Sequence, residues 1–164
     1  MKILYIVKYI AQYGGLDRIL SYKMNYLSDK LGYEVYLLTY EQGDHPISFP
    51  LSSNIKHTDI DVRFFTRYNC SLVERIYQYF KMRSIFKYRL IKQVDSINPD
   101  IIIAETYSYS ILDIIINQNK KTKIIIESHI EMNSILKQND YINNIPLKLI
   151  SKLYDIYIKF IKEM

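Results

Sequence analysis

The sequence predicts an α/β domain built on a doubly wound, Rossmann-like and mainly parallel sheet. Short apolar segments alternate along the chain with longer segments whose apolar residues recur at helical spacing. Two apolar segments, DIIIAE and KIIIES, contain runs of isoleucine without polar alternation, which is typical of strands that helices cover on both faces. At 164 residues the chain is long enough for one domain with a sizeable core.

The predicted elements follow the order strand, helix, strand, strand, helix, strand, helix, strand, helix. By number they are strand 2–9, helix 16–32, strand 33–40, strand 55–62, helix 70–98, strand 99–105, helix 108–121, strand 122–129 and helix 146–164.

Each element has a local reason. The opening strand, KILYIVKY, is short, apolar and rich in β-branched and aromatic residues, and the first helix has Gly32 as a suitable C-terminal stop. A glycine and two prolines make residues 41–53 a loop before the third strand. The longest helix repeats apolar residues at three- and four-residue steps until Pro99, and Pro146 suits the first turn of the last helix.

The whole chain, residues 1–164, is interpreted as a single domain without repeats or an interdomain linker. It ends within a charged helical segment that no strand follows, so we expect it to be part of a longer protein. The lone Cys70 excludes an internal disulfide and favours a reducing compartment. No apolar run is long enough for a spanning helix, and a cytoplasmic location is the expectation.

Ligands of open parallel α/β sheets bind at the carboxyl ends of the strands, which directs attention to three loops. Gly14 and Gly15 lie in the first loop, where the backbone can adopt positive φ, a ligand can approach closely and the next helix begins. That combination favours a phosphate or another anion. A tight turn that binds no ligand explains the same pair equally well.

The other two loops carry polar side chains. Glu105 and Thr106 end the fourth strand and are candidates for hydrogen bonds to sugar hydroxyls, although capping the next helix is an equal alternative. His129 follows the fifth strand and is a candidate to orient a hydroxyl or hold a phosphate, the alternative being a loop imidazole bonded to backbone. The three scattered histidines form no metal-binding pattern.

The net charge of +5 is concentrated in one segment. Residues 63–93 carry eight basic residues against one acid, and the predicted helix there should pack its apolar side on the sheet while its basic side chains project outward. Interleaved tyrosines and phenylalanines suit an anionic membrane surface; nucleic acid and a plain solvated face are the competing interpretations. The candidate membrane-surface residues are Arg75, Lys81, Arg83, Lys87, Arg89 and Lys92.

Taken in order, these features resemble the N-terminal domain of a GT-B glycosyltransferase of the family 4 type. The resemblance rests on the opening MKILYIV strand, the G-G-L-D-R turn, a long second strand, the N-P-D-I-I-I strand entry and a strand ending in I-E-S-H. It covers nearly the whole chain in the right order.

The resemblance implies a retaining enzyme that transfers a sugar from a nucleotide-sugar to a polysaccharide, lipopolysaccharide or lipid-linked acceptor. It places Gly14 and Gly15 in the cleft, close to the donor diphosphate and the acceptor. It makes His129 the catalytic histidine, which contacts the transferring sugar or orients the acceptor, and gives Arg18 a role in supporting the loop. It relates the basic helix to the surface by which some members of the family approach membranes. The protein is accordingly expected to be peripheral, on the inner face of the membrane. Neither a metal nor a cofactor is implied, and nucleic acid is not an expected partner.

The pattern also implies a C-terminal domain with most of the nucleotide-sugar site, including a Glu-x₇-Glu motif, which residues 1–164 do not contain. We therefore expect these residues alone to form the acceptor-side half and to be inactive. The alternative from another class is a stand-alone, non-enzymatic binding module for a nucleotide or an anionic partner.

Overall fold

The predicted order of strands and helices is confirmed as far as the fifth strand. The computed structural model of the protein describes residues 1–69, 71–105, 109–117 and 122–127. Its elements are β1 (Lys2–Val7), α1 (Gly15–Asp29), β2 (Glu34–Thr39), β3 (Lys56–Asp59), a 3₁₀ helix (Phe64–Asn69), α2 (Leu72–Ile97), β4 (Ile101–Glu105), α3 (Tyr109–Ile116) and β5 (Lys123–Glu127). The sequence does not predict the 3₁₀ helix, and the predicted helix 146–164 lies outside the described residues.

The five strands in the described part of the chain are all parallel and lie in the order β3-β2-β1-β4-β5. The chain moves outward from β1 to β2 and β3, returns to the other side of β1 and continues through β4 to β5. The direction therefore reverses between β1 and β4. This is the Rossmann-like, doubly wound α/β arrangement that the sequence predicts, and its switch point is where such sheets place a ligand crevice.

Each face of the sheet packs against helices of its own. On one face Leu20 and Met24 of α1 are buried against apolar side chains of β1 and β2. On the other, α2 and α3 cover the sheet with Phe86, Leu90 and Ile115, which are fully buried. Burying one such side chain contributes about 1.5–3 kcal/mol, so the two layers account for the isoleucine run of β4. The run of β5 differs, because Ile125 and Ile126 are exposed among the described residues.

Helix ends agree with the local sequence. Ser71 and Glu74 form a capping box at the start of α2, where each side chain bonds the other residue's backbone N–H. Asn98 ends the helix in the left-handed conformation with φ 48°, and Pro99 follows. After α1, Gly32 has φ +64° and reverses the chain, as its predicted role as a helix stop requires.

The helix α2 is longer than the sheet it covers. Its 26 residues span about 39 Å at 1.5 Å per residue, whereas a strand of five residues spans about 17 Å. Among its described side chains, the buried ones all lie in the second half, and four apolar side chains near its start are exposed. We call residues Val73–Phe80, near the start of the helix, the α2 overhang. Its exposed apolar residues are Val73, Ile76, Tyr77 and Phe80.

Candidate functional site

The switch point of the sheet lies between β1 and β4, and the loops after these strands border it. The loop after β1 leads through residues 8–13 to Gly14 and Gly15 at the start of α1. The strand β4 ends at Glu105. The described part of the chain thus brings three sequence-predicted site residues to the same edge of the sheet.

The glycine pair forms an exposed, uncapped helix N-terminus. Gly14 is the N-cap residue of α1, with φ −96° and ψ 167°, and no side chain caps the first turn. Neither glycine has positive φ, and a Cβ atom added to either would meet no atom within 4 Å. The fold therefore does not require glycine here through backbone conformation or internal packing. What the missing side chains provide is open space beside the first N–H groups of the helix.

The loop before the glycine pair is fixed by a buried acid. Asp17, in the first turn of α1, is 5% exposed, and its Oδ2 atom accepts hydrogen bonds from Gln12 N at 2.7 Å and Ser48 Oγ at 3.0 Å. Ile10 is held in turn, because its N–H donates to Gln42 Oε1 at 2.9 Å and its carbonyl accepts from Ser48 N at 2.9 Å. The loop after β2 thus holds the loop after β1 in place.

Glu105 is the most perturbed carboxyl of the described site. The residue is 7% exposed, and its Oε1 atom is buried without a hydrogen-bond partner among the described residues. Burial raises the pKa of Glu105 to about 7, with smaller contributions from the charges of Asp17 and of Glu127, its neighbour in register on β5. A carboxyl group with this pKa can donate or accept a hydrogen bond at neutral pH.

Acidic side chains dominate the carboxyl edge of the described sheet. Besides Asp17 and Glu105, Glu41 is buried just after β2, and Glu127 ends β5. Two lysines offset them: Lys8 Nζ lies 3.0 Å from Glu41 Oε2, and Lys23 Nζ lies 3.1 Å from Glu127 Oε2. Asp17, which forms no ion pair in the described ranges, opposes the attraction of the helix N-terminus for an anion, while an uncharged hydroxyl group carries no such cost. The buried acids at this edge therefore disfavour an anion more than they disfavour a neutral group that carries hydroxyls.

Two open concavities lie next to the glycine turn. One, of about 390 Å³, lies between the loops after β1 and β2 and includes Tyr9, Gln12 and His45 in its lining. The other, of about 610 Å³, lies along the outer side of α1 and is lined by Gly15, Arg18, Ile19, Tyr22 and Lys23. Gly15 therefore borders a space that a ligand can enter.

Two of the predicted site residues, Thr106 and His129, lie outside the described residues. Their proposed roles, hydrogen bonding to sugar hydroxyls and catalysis, stay predictions. The expectation that Gly15 and His129 face a common groove stays a prediction as well.

The arginines of α2 differ from its lysines. Arg83 does not project outward as expected: its side chain is 13% exposed, because its guanidinium pairs with Asp113 of α3. Arg89 donates from Nη1 to the carbonyls of Ile60 and Asp61 at 2.5 and 2.8 Å, so its charge is used to hold the chain after β3. Arg75 is half-buried.

Three lysines of α2 are solvent-facing. Lys81, Lys87 and Lys92 are exposed, and no ion pair joins them to other residues in the described ranges. These three of the six candidate membrane-surface residues project outward, as the sequence predicts, and no ion pair ties them to another element in the described part of the chain.

The described residues contain neither a metal-binding cluster nor a membrane-spanning helix. Groups of three or more His, Cys, Asp or Glu side chains able to hold a metal ion are not found among them. None of the helices in the described part is sufficiently long and apolar to cross a bilayer.

Sequence reasoning missed the residues that hold the site together. Gln42 and Ser48 fall in a segment predicted only as a loop, and Asp17 enters only through the G-G-L-D-R pattern. A signal was present, because polar residues such as Glu41 and Gln42 follow the apolar strand β2 at the edge where the site forms.

No protein-family model matches the chain, and no curated protein is significantly similar to it in sequence.

Proposed function

We propose that this chain is the acceptor-side domain of a retaining glycosyltransferase that uses a nucleotide-sugar donor. The observation that carries the proposal is the open Gly14-Gly15 turn at the switch point, held by Asp17 and flanked by Glu105. Open backbone next to a fixed loop suits the close approach of a ligand. The retaining outcome and the donor class come from the resemblance to family 4 glycosyltransferases, not from the geometry.

The charge at the sheet edge supports the acceptor side in particular. A diphosphate at this position would lie near the buried acids Asp17 and Glu105, whereas Glu41 and Glu127 are paired with lysines. A sugar hydroxyl can instead bond the unpartnered Oε1 of Glu105 without an electrostatic cost. The donor diphosphate would then be bound by a second domain. Acceptors of this chemistry are polysaccharide, lipopolysaccharide or lipid-linked glycans.

A transfer assay on the product of the full reading frame tests this proposal. We expect label from one of a panel of nucleotide-sugars to appear in a glycan or lipid-linked acceptor. His129→Ala should lower the rate by roughly 100-fold or more, as the loss of a group that assists proton transfer does. Asp95→Asn, an exposed carboxyl on α2, is the matched control and should retain the full rate.

The alternative of a non-enzymatic binding module makes the opposite prediction. Its support is the uncapped N-terminus of α1 at the switch point. Calorimetric titration of residues 1–164 with nucleotides distinguishes the two: tight nucleotide binding, together with no transfer by the full protein, would contradict the transferase. Weak or no nucleotide binding by these residues agrees with an acceptor-side domain.

A further part of the proposal is that the α2 overhang lies on an anionic membrane surface, as a peripheral protein. Its exposed apolar side chains stand on the same helix as the outward lysines, and this combination favours an interface with anionic lipid. We expect co-sedimentation with vesicles of phosphatidylglycerol and phosphatidylcholine, but not with phosphatidylcholine alone. Replacing Val73 and Ile76 with Ser should weaken it, and Lys30→Glu, on the exposed end of α1, should not.

A further inference from the structure

A groove of about 500 Å³ lies between α2 and α3, on the face of the sheet opposite α1. It is separate from the site at the switch point and shares no residue with it. Its polar lining and its aromatic end are formed by Phe80, Arg83, Ser84, Lys87, Asp113 and Asn117.

Helical spacing aligns the side chains of α2 along this groove. Phe80, Ser84, Lys87 and Ile91 lie four, three and four residues apart, so they form one stripe on the side of α2 that faces α3. The stripe begins with an exposed ring, continues with a hydroxyl and an ammonium group, and ends with an apolar side chain. Polar and apolar contacts are therefore available to a single ligand.

The charges of the groove favour an anion with a single negative charge. Arg83 and Asp113 form an ion pair across it, and Arg83 Nη1 also lies 3.3 Å from Tyr79 Oη. Lys87 adds a positive charge that no acidic side chain in the described ranges neutralises, so the described lining of the groove has a net charge of +1. The Asp113 carboxylate would repel a dianion, whereas a singly charged phosphodiester matches the net charge.

The remaining lining specifies what the anion is attached to. Ser84 and Asn117 are exposed and supply neutral donors next to Lys87, while Ile91 and Ile114 supply apolar contacts. Phe80 belongs both to the groove and to the α2 overhang, so a ligand whose polar group occupies the groove can extend along the exposed apolar side chains. A phosphodiester carrying an apolar chain has both parts.

We propose that the α2–α3 groove binds the phosphodiester headgroup of an anionic phospholipid, with Lys87, Ser84 and Asn117 as donors. Arg83 acts as a positioning residue, because its ion pair with Asp113 joins the two helices that form the walls. The proposal rests on the membrane part of the proposed function, because the membrane on which the α2 overhang lies would supply the phospholipid. The groove itself needs no bilayer to bind one lipid molecule.

Binding of a soluble lipid therefore tests it. The probe is dihexanoylphosphatidylglycerol below its micelle concentration, titrated into ¹⁵N-labelled protein, with shifts expected at the Ser84 amide and the Asn117 side chain. Lys87→Gln should weaken binding roughly tenfold, as the loss of a charge-assisted hydrogen bond does. Lys92→Gln is the matched control, since it removes the same charge from an exposed position of the same helix outside the groove, and should stay within about twofold.

Three outcomes would overturn the proposal. Equal losses in the two lysine variants would mean that diffuse charge attracts the lipid. Equal affinity for inorganic phosphate would mean that the apolar walls contribute nothing. Equal affinity for dihexanoylphosphatidylcholine would mean that net charge is not recognised. The two proposals can fail separately, because Val73 and Ile76 do not line the groove. If the protein bound the soluble lipid but not vesicles, the membrane-surface proposal would be contradicted and the groove proposal would stand.

Discussion

Gly14 and Gly15 show how a residue can look structural in a sequence and be structurally unnecessary in the fold. Both have ordinary backbone conformations and face open space, unlike Gly32 and Gly43, whose φ values are +64° and +55°. A residue that the fold does not require is available to a ligand. The contrast makes the role of the glycine pair testable, because substitutions at a structural glycine lower the stability of the domain and substitutions at a ligand-facing glycine do not.

Gly15→Ala should leave the domain as stable as the wild type or raise its free energy of unfolding by up to about 1 kcal/mol, because alanine loses less entropy in a helix. Gly32→Ala, at positive φ, should lower it by roughly 1–2 kcal/mol. Urea denaturation followed by circular dichroism measures both. If Gly15→Ala destabilised the protein as much as Gly32→Ala, the turn would be structural and the ligand argument would fail.

Glu105 gives the stability of the domain a pH dependence of known sign. Its folded pKa of about 7 lies above the ordinary value of 4.5, so its favourable contribution is complete below about pH 4.5 and disappears as pH rises through 7. Relative to Glu105→Gln, the wild type should lose up to about 3 kcal/mol between pH 5 and pH 8.5. Denaturant titrations at the two pH values measure this difference.

The comparison of wild type with Glu105→Gln isolates this carboxyl from other titrating groups. His57, whose pKa burial lowers despite the opposing charge of Asp59, changes stability in the opposite direction but equally in both proteins. Asp95→Asn, on the solvent side of α2, serves as the matched control. If the difference in free energy of unfolding between wild type and Glu105→Gln did not change between pH 5 and pH 8.5, Glu105 would be ionised in the folded state over that whole range.

At the scale of elements, α2 shows what a periodic pattern can and cannot establish. Phe86, Leu90 and Val94 recur at helical spacing and are buried, but Ile76 and Phe80 belong to the same pattern and are 61% and 59% exposed. Periodicity identifies a face of a helix, whereas burial also depends on how far the sheet extends beneath it. That length is set by strands elsewhere in the chain, so the pattern alone could not predict the overhang.

Side-chain partners across elements were equally hard to foresee. The segment after β3 contains two non-glycine residues with positive φ, Asp61 at 47° and Arg63 at 48°, and Arg89 bonds the carbonyls just before and at the first of them. Nothing near Arg89 in the sequence indicates that contact, whereas the succession of strands and helices along the chain followed from local patterns alone. The site was predictable to the same extent: sheet topology placed its glycines and Glu105, but tertiary contacts determined the role of Asp17.

Arg89 should therefore contribute to stability and Lys92 should not. Arg89→Gln removes the charged donor that bonds the carbonyls of Ile60 and Asp61, and we expect the free energy of unfolding to fall by about 1.5–3 kcal/mol. Lys92→Gln should change it by less than about 0.5 kcal/mol. Chemical denaturation of the two variants measures this. Equal effects would mean that the hydrogen bonds of Arg89 to the chain after β3 do not contribute to stability.

For the whole molecule, the parallel sheet predicts an uneven distribution of local stability. The central strand β1 pairs with β2 and β4 and is buried on both faces by the two helical layers. The four-residue β3 pairs only with β2 among the described strands, and three of its residues are exposed. Opening β1 requires disruption of both cores, whereas β3 can separate with little loss of buried apolar area.

Native-state hydrogen exchange should therefore divide the amides of the sheet into two groups. Amides of Leu4 and Ile6 in β1 should exchange only with global unfolding, so that their opening free energy equals that from denaturant titration. Amides of β3 should open at several kcal/mol less and depend little on denaturant, as expected for local fraying. Because β1 also carries the loop to Gly14, this protection would provide the rigid base that the proposed site requires. Equal protection of β3 and β1 would contradict this view and would mean that the domain opens only as a whole.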